Sequence, residues 1–72
     1  NSLFETVIVS ANDELVDMFL ANIIKFNEIV KFLNIIINLK QFIKYKRLSP
    51  KNFDDIYKLS KYVRLKIRSL SI

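Results

Sequence analysis

Residues 12–43 read NDELVDMFLANIIKFNEIVKFLNIIINLKQFI, and the spacing of their polar positions decides the fold class. Glu14, Asp17, Asn22, Lys25, Glu28, Lys31, Asn34, Asn38 and Gln41 recur at steps of three to five residues. On a helix such steps trace one narrow stripe; on a strand they would scatter over both faces. Nearly everything between them is Leu, Ile, Val or Phe. A helix with so wide an apolar surface packs against more than one neighbour. As one helix, residues 13–45 would run about 50 Å at 1.5 Å per residue, too long for a compact chain of this size. A break near Asn27 is therefore expected, where Asn can cap a second helix or take a left-handed turn. The continuous stripe also fits an unbroken helix laid on a partner.

Working outward, the C-terminal boundary falls at Lys46-Arg47-Leu48-Ser49. Ser49 is an N-cap candidate, and Pro50 suits the first helical position, where its missing donor costs nothing. The last helix then buries Phe53, Ile56, Ser60, Val63, Ile67 and Leu70 at helical spacing, and Asp54 and Lys58 make a favourable i,i+4 pair. On the N-terminal side, Thr6-Val7-Ile8-Val9 is rich in β-branched residues and suits a short strand. Ser2-x-x-Glu5 instead has the spacing of a helical capping box starting at Leu3. The fold expected is all-α: a bundle of three main helices at about 13–26, 28–45 and 50–69, with a short N-terminal segment of either type. The middle helix, with the narrowest polar stripe, is expected to be the most buried. Residues 1–72 read as a single small helical domain or a fragment of a larger protein, since the chain opens at Asn1.

Charge divides the chain. Residues 1–39 carry two Lys against five acids, net −3, while residues 40–72 carry ten basic residues against Asp54 and Asp55, net +8. Half of the 72 residues are hydrophobic, and so small a chain has much surface for its volume. Some of that apolar surface should stay exposed unless a partner covers it.

Absent residue types narrow the chemistry. Without Cys there is no disulfide framework, which fits an intracellular setting, compartment unspecified. Without His the commonest general base and metal ligand is missing, and without Gly there is no phosphate-cradling loop. Neither an enzyme nor a cofactor or small-molecule substrate is expected on these grounds. The longest apolar run, Met18-Phe19-Leu20-Ala21, is far short of the roughly 20 residues a membrane span needs.

Two surfaces could carry function. The first is apolar: Ile23, Phe26, Val30, Ile37 and Phe42 are candidates for burial against a protein partner or a second copy. The leading expectation is accordingly a non-enzymatic helical interaction module. The second is basic: Lys40, Lys44, Arg47, Lys51, Lys58, Lys61, Arg64 and Arg68 could neutralise phosphates, with Tyr45 as a stacking platform, in a nucleic-acid-binding subunit of a ribonucleoprotein. Arg64 and Arg68, four residues apart, repel on a helix, and a polyanion would relieve them. Read structurally, the same cations only solvate a helix face. Asp13, Glu14 and Asp17 could hold a cation or do acid–base work, but in the first turn of a helix starting near residue 13 such acids are favoured by the dipole alone.

The segment Leu48-Ser49-x-x-Asn52-Phe53-x-Asp55-Ile56-x-x-Leu59-Ser60-x-Tyr62-Val63-x-Leu65 resembles the closing helices of BTB and elongin-C-type adaptor domains, which implies a protein-interaction role. Leu48-Ser49-x-Lys51-Asn52, with Ile56, Lys61 and Arg64, is also similar to the C-terminal helix of a small ribosomal protein, which implies rRNA contact.

Overall fold

The structure, a computed structural model, describes residues 2–70. It holds α1 (Leu3–Leu20), α2 (Phe26–Ile37), a short α3 (Lys40–Ile43) running into a 3₁₀ turn (Lys44–Arg47), and α4 (Phe53–Ser69). No strand occurs among the described residues. The all-α bundle of three main helices is the observed fold, with the boundaries of those helices moved.

The first correction is at the N-terminus. Ser2 accepts a hydrogen bond from the Phe4 amide at 3.2 Å, and helix begins at Leu3, the helical one of the two alternatives for this segment. It runs on through residue 13, where a separate main helix was expected to start. The β-branched run does not become a strand because Val7 belongs to the apolar series Leu3, Val7, Ala11, Leu15 and Met18, which lies buried along one face of α1. Tertiary burial outweighs the small helix penalty of β-branched residues. A backbone bond from the Leu3 amide to the Leu48 carbonyl, 2.7 Å, fastens this end to the segment after the 3₁₀ turn.

The expected break near Asn27 lies instead at residues 21–25. Asn22 has φ of 63°, the left-handed region, in a chain with no glycine to occupy it. Its amide donates to Phe19 O at 3.0 Å, and the Ile23 amide donates to Met18 O at 2.9 Å. That pair of bonds is a Schellman closure, which satisfies carbonyls the helix end would leave bare. Helix α2 then opens with the Glu28 carboxylate accepting from the Lys25 amide at 2.7 Å. The helix expected over 28–45 is itself interrupted: Asn38 caps α2, its side-chain amide donating to Asn34 O at 2.7 Å, and α3 follows at an angle set by the extended Leu39.

The last helix starts at Phe53, not Pro50. Asn52 Oδ1 accepts from the Asp55 amide at 3.0 Å, and Asp55 reaches back to the Lys51 amide at 2.9 Å. Asn52 is therefore the cap in place of Ser49. Phe53, assigned to the buried face, is exposed, and Leu59 joins Val63 and Ile67 in the core instead.

Helix α1 packs against α2, α3, the 3₁₀ turn and α4, and it is the most buried element. The middle helix is not: α2 buries only Ile29 and Ile36. Its narrow polar stripe leaves apolar residues, Phe26 and Val30 among them, on a second face that none of the described residues covers. Among the described residues no helix is long and apolar enough to cross a membrane.

Candidate functional site

The most polar part of the interior is the seam between α1 and α4. Glu14 lies on the buried face of α1, 2 % exposed, one turn from Ala11 and Met18. A carboxylate removed from water in this way needs charged partners or it will not stay ionised at low cost. It has two. Arg64 Nη1 donates to Oε1 at 3.0 Å, and Arg68 Nε donates to Oε2 at 2.8 Å. Arg64 also reaches Asp17 at 3.3 Å and Asp13 at 3.9 Å on the outer rim. The hydrogen bond and charge of Glu14 hold the Arg68 pKa above its usual value, against a smaller opposing effect of desolvation. One turn toward the N-terminus, the Ser10 hydroxyl donates to Ser60 at 2.8 Å, so the seam is polar over two turns. Every buried side-chain nitrogen and oxygen among the described residues has a partner.

This arrangement changes the reading of both ends of the chain. Because α1 begins at Leu3, Asp13, Glu14 and Asp17 fall in its second half, away from the favourable end of the dipole. An arginine stands where a bound cation would. Arg64 and Arg68, expected to reach for a polyanion, spend their charge on Glu14, which also offsets their mutual repulsion. The cue in the sequence was the spacing itself: acids at 13, 14 and 17 and arginines at 64 and 68 each lie on one helical face.

The other expected polyanion contacts are dispersed. Lys58 pairs with Asp54 at 2.9 Å, as their spacing implies. Lys61 sits 5.4 Å over the Tyr57 ring. Lys51 lies with Lys58, Tyr45 and Tyr62 around a shallow groove beside Leu3 and Leu48. Lys40, Lys44 and Arg47 come together around Ile43, with Lys44 also 5.3 Å over Tyr45. The structure thus divides the eight cations among several small clusters instead of one continuous basic face.

The five apolar candidates divide too. Phe42 is wholly buried, its ring edge-on to Tyr62 at 5.5 Å, and it serves the core. Ile37 is half-buried. Ile23, Phe26 and Val30 stand in solvent, 56 %, 73 % and 62 % exposed, at the corner between α1 and α2. Leu20 is exposed at the same corner, and the Phe19 ring, partly buried, meets Phe26 edge-on at 5.6 Å. The core therefore runs without a gap to an apolar surface.

The described residues thus form a helical bundle with one buried acid held between two arginines and an exposed apolar corner. Residues 1–66 match the family model of the DXP reductoisomerase C-terminal domain, and the chain belongs to that family. It is also 54 % identical, over all 72 residues, to the 1-deoxy-D-xylulose 5-phosphate reductoisomerase of Pelagibacter ubique (strain HTCC1062). The chain spans 19 % of that relative's length. No solved structure matches it.

The match overturns the expectations of a non-enzymatic interaction module, of a ribonucleoprotein subunit and of a protein that is no enzyme. It likewise sets aside the BTB-type and ribosomal-type resemblances, which rested on helix-cap and apolar positions that any amphipathic helix such as α4 supplies. The inference from missing His, Cys and Gly failed for a plain reason. Those absences describe 72 residues, whereas the relative's polypeptide is some five times as long and its catalytic groups can lie anywhere in it.

Proposed function

We propose that this chain is the C-terminal helical domain of a polypeptide that carries out the reductive isomerisation of 1-deoxy-D-xylulose 5-phosphate. The observation that carries the reading is sequence identity of 54 % sustained over every residue of the chain. Within such an enzyme the domain's part is architectural. Both oxygens of Glu14 are engaged by arginines, so its buried acid serves to lock α4 on α1 and fix the shape of the bundle. A rigid domain of this kind supports a reaction by holding its neighbours within the tight tolerances that catalytic geometry demands.

The test is an assay of the full-length protein with 1-deoxy-D-xylulose 5-phosphate and a hydride-donating reductant. Consumption of both together is the expected result, with loss of turnover when residues 1–72 are deleted. A folded full-length protein that leaves the substrate unchanged would refute the proposal.

A further inference from the structure

We infer that the corner formed by Ile23, Phe26 and Val30 is the surface on which this domain docks against the preceding part of its own polypeptide. The inference rests on the reading above, that the chain is one domain of a longer enzyme. Three observations support it.

The corner is apolar and prominent. Phe26 and Val30 are one turn apart on the same side of α2, Ile23 leads into them, and Leu20 ends α1 beside them. At 73 % exposure Phe26 presents most of its ring to solvent, whereas its neighbour Phe19 is partly packed against the core.

The corner is also rigid. The Schellman closure at Asn22, the Glu28 bond to the Lys25 amide and the Phe19–Phe26 ring contact fix the backbone and the leading side chain before anything binds. A preformed apolar surface loses little conformational entropy on being covered.

Finally, the chain spans 19 % of its relative, so about four-fifths of such an enzyme lies outside these residues and is tethered to them. Side chains of this number and size offer on the order of 400 Å², about half of the roughly 800 Å² per partner buried in a stable two-chain interface. A tethered partner needs less area, because its effective concentration is already in the millimolar range. The size of the corner thus favours the enzyme's own polypeptide over a second copy.

The domain contains no cysteine, so a thiol placed here is identified by its own peptide. Phe26→Cys, Val30→Cys and Ile23→Cys, made singly in the full-length enzyme, are treated with a maleimide and compared with the same proteins unfolded in urea. Circular dichroism selects the variants that remain helical, and three positions guard against one that does not. Labelling at least tenfold slower in the folded protein, unchanged on dilution, is the expected result. Labelling as fast as in urea overturns the docking, and protection that disappears on dilution overturns it in favour of a second copy. Turnover is measured on the same preparations. Turnover with unprotected thiols refutes the docking alone, and protected thiols without turnover refute the enzymatic reading alone.

Discussion

Glu14 and Arg64 are fifty residues apart in the chain and 3.0 Å apart in space, and their contact is one of the two charged bonds by which the buried acid joins α1 to α4, the other being to Arg68. The acid is inaccessible while the arginine is about one-third exposed. Breaking the pair therefore harms the two partners unequally.

Arg64→Ala leaves Glu14 buried with Arg68 as its remaining close cation. Stranding one member of a buried pair costs 3–5 kcal/mol; the solvent around Arg64 reduces this to about 1–3 kcal/mol. Glu14→Leu, which removes the buried charge and leaves both arginines free to turn toward water, should cost less than Arg64→Ala. Urea denaturation of the three proteins gives the order, and a larger loss for Glu14→Leu would contradict it.

Asn22 holds a left-handed backbone that glycine adopts without strain. Asn22→Gly should be neutral or stabilising by up to about 0.5 kcal/mol, whereas Asn22→Val should lose about 1–2 kcal/mol, since a β-branched residue at positive φ is strained. Thermal melting monitored by circular dichroism separates the two.

The start of α4 can be tested by cap deletion. Asn52→Ala should cost about 1 kcal/mol through loss of the bond from the Asp55 amide, and Pro50→Ala should stay within about 0.5 kcal/mol because residue 50 precedes the helix. Equal losses would move the cap back to the earlier position.

Lys58 gives the pH test. Its hydrogen bond to Asp54, followed by that residue's charge, raises the lysine pKa above 10.5. A basic group with a raised folded pKa contributes stability below its unfolded pKa and loses it as pH rises through the folded value. The small difference between wild type and Lys58→Ala should therefore persist below the lysine's unfolded pKa and fade as pH rises through the raised folded value. Because the pair is exposed, 1 M salt should reduce the difference at neutral pH as well.

The fold class was legible because one stripe of nine polar residues obeys helical spacing across 28 positions, and only a helix keeps such residues together. The boundaries were not, and each error has a local cause. Asn22 and Asn27 are equally able to turn a chain; what goes with the turn at Asn22 is the burial of Met18 before it and of Ile24 after it, a tertiary matter. Pro50 is well suited to open a helix, yet Asn52 and Asp55 together supply two bonds to backbone amides where Ser49 and Pro50 offer one. The error with the widest effect was the start of α1. Once the helix was taken to begin near residue 13, Asp13, Glu14 and Asp17 had a sufficient explanation in the dipole, and no reason remained to seek their partners in α4. Of the apolar candidates, Ile23, Phe26 and Val30 lie on the surface, but Phe42, identical in chemistry, was not distinguishable from them without knowing that α3 turns inward. No catalytic signature is legible in these 72 residues, and under the proposed reading a domain that braces a site need not contain one.

Synthesis runs from the N-terminus, so α1 is complete long before Arg64 and Arg68 exist. Until they arrive, seating Glu14 against Ala11 and Met18 would bury a lone negative charge, a cost that only the finished seam offsets. The acid therefore makes closure of α1 less favourable before α4 is present than after it. The first helix is tied to the last, and the bundle gains its full stability only when the final helix is in place.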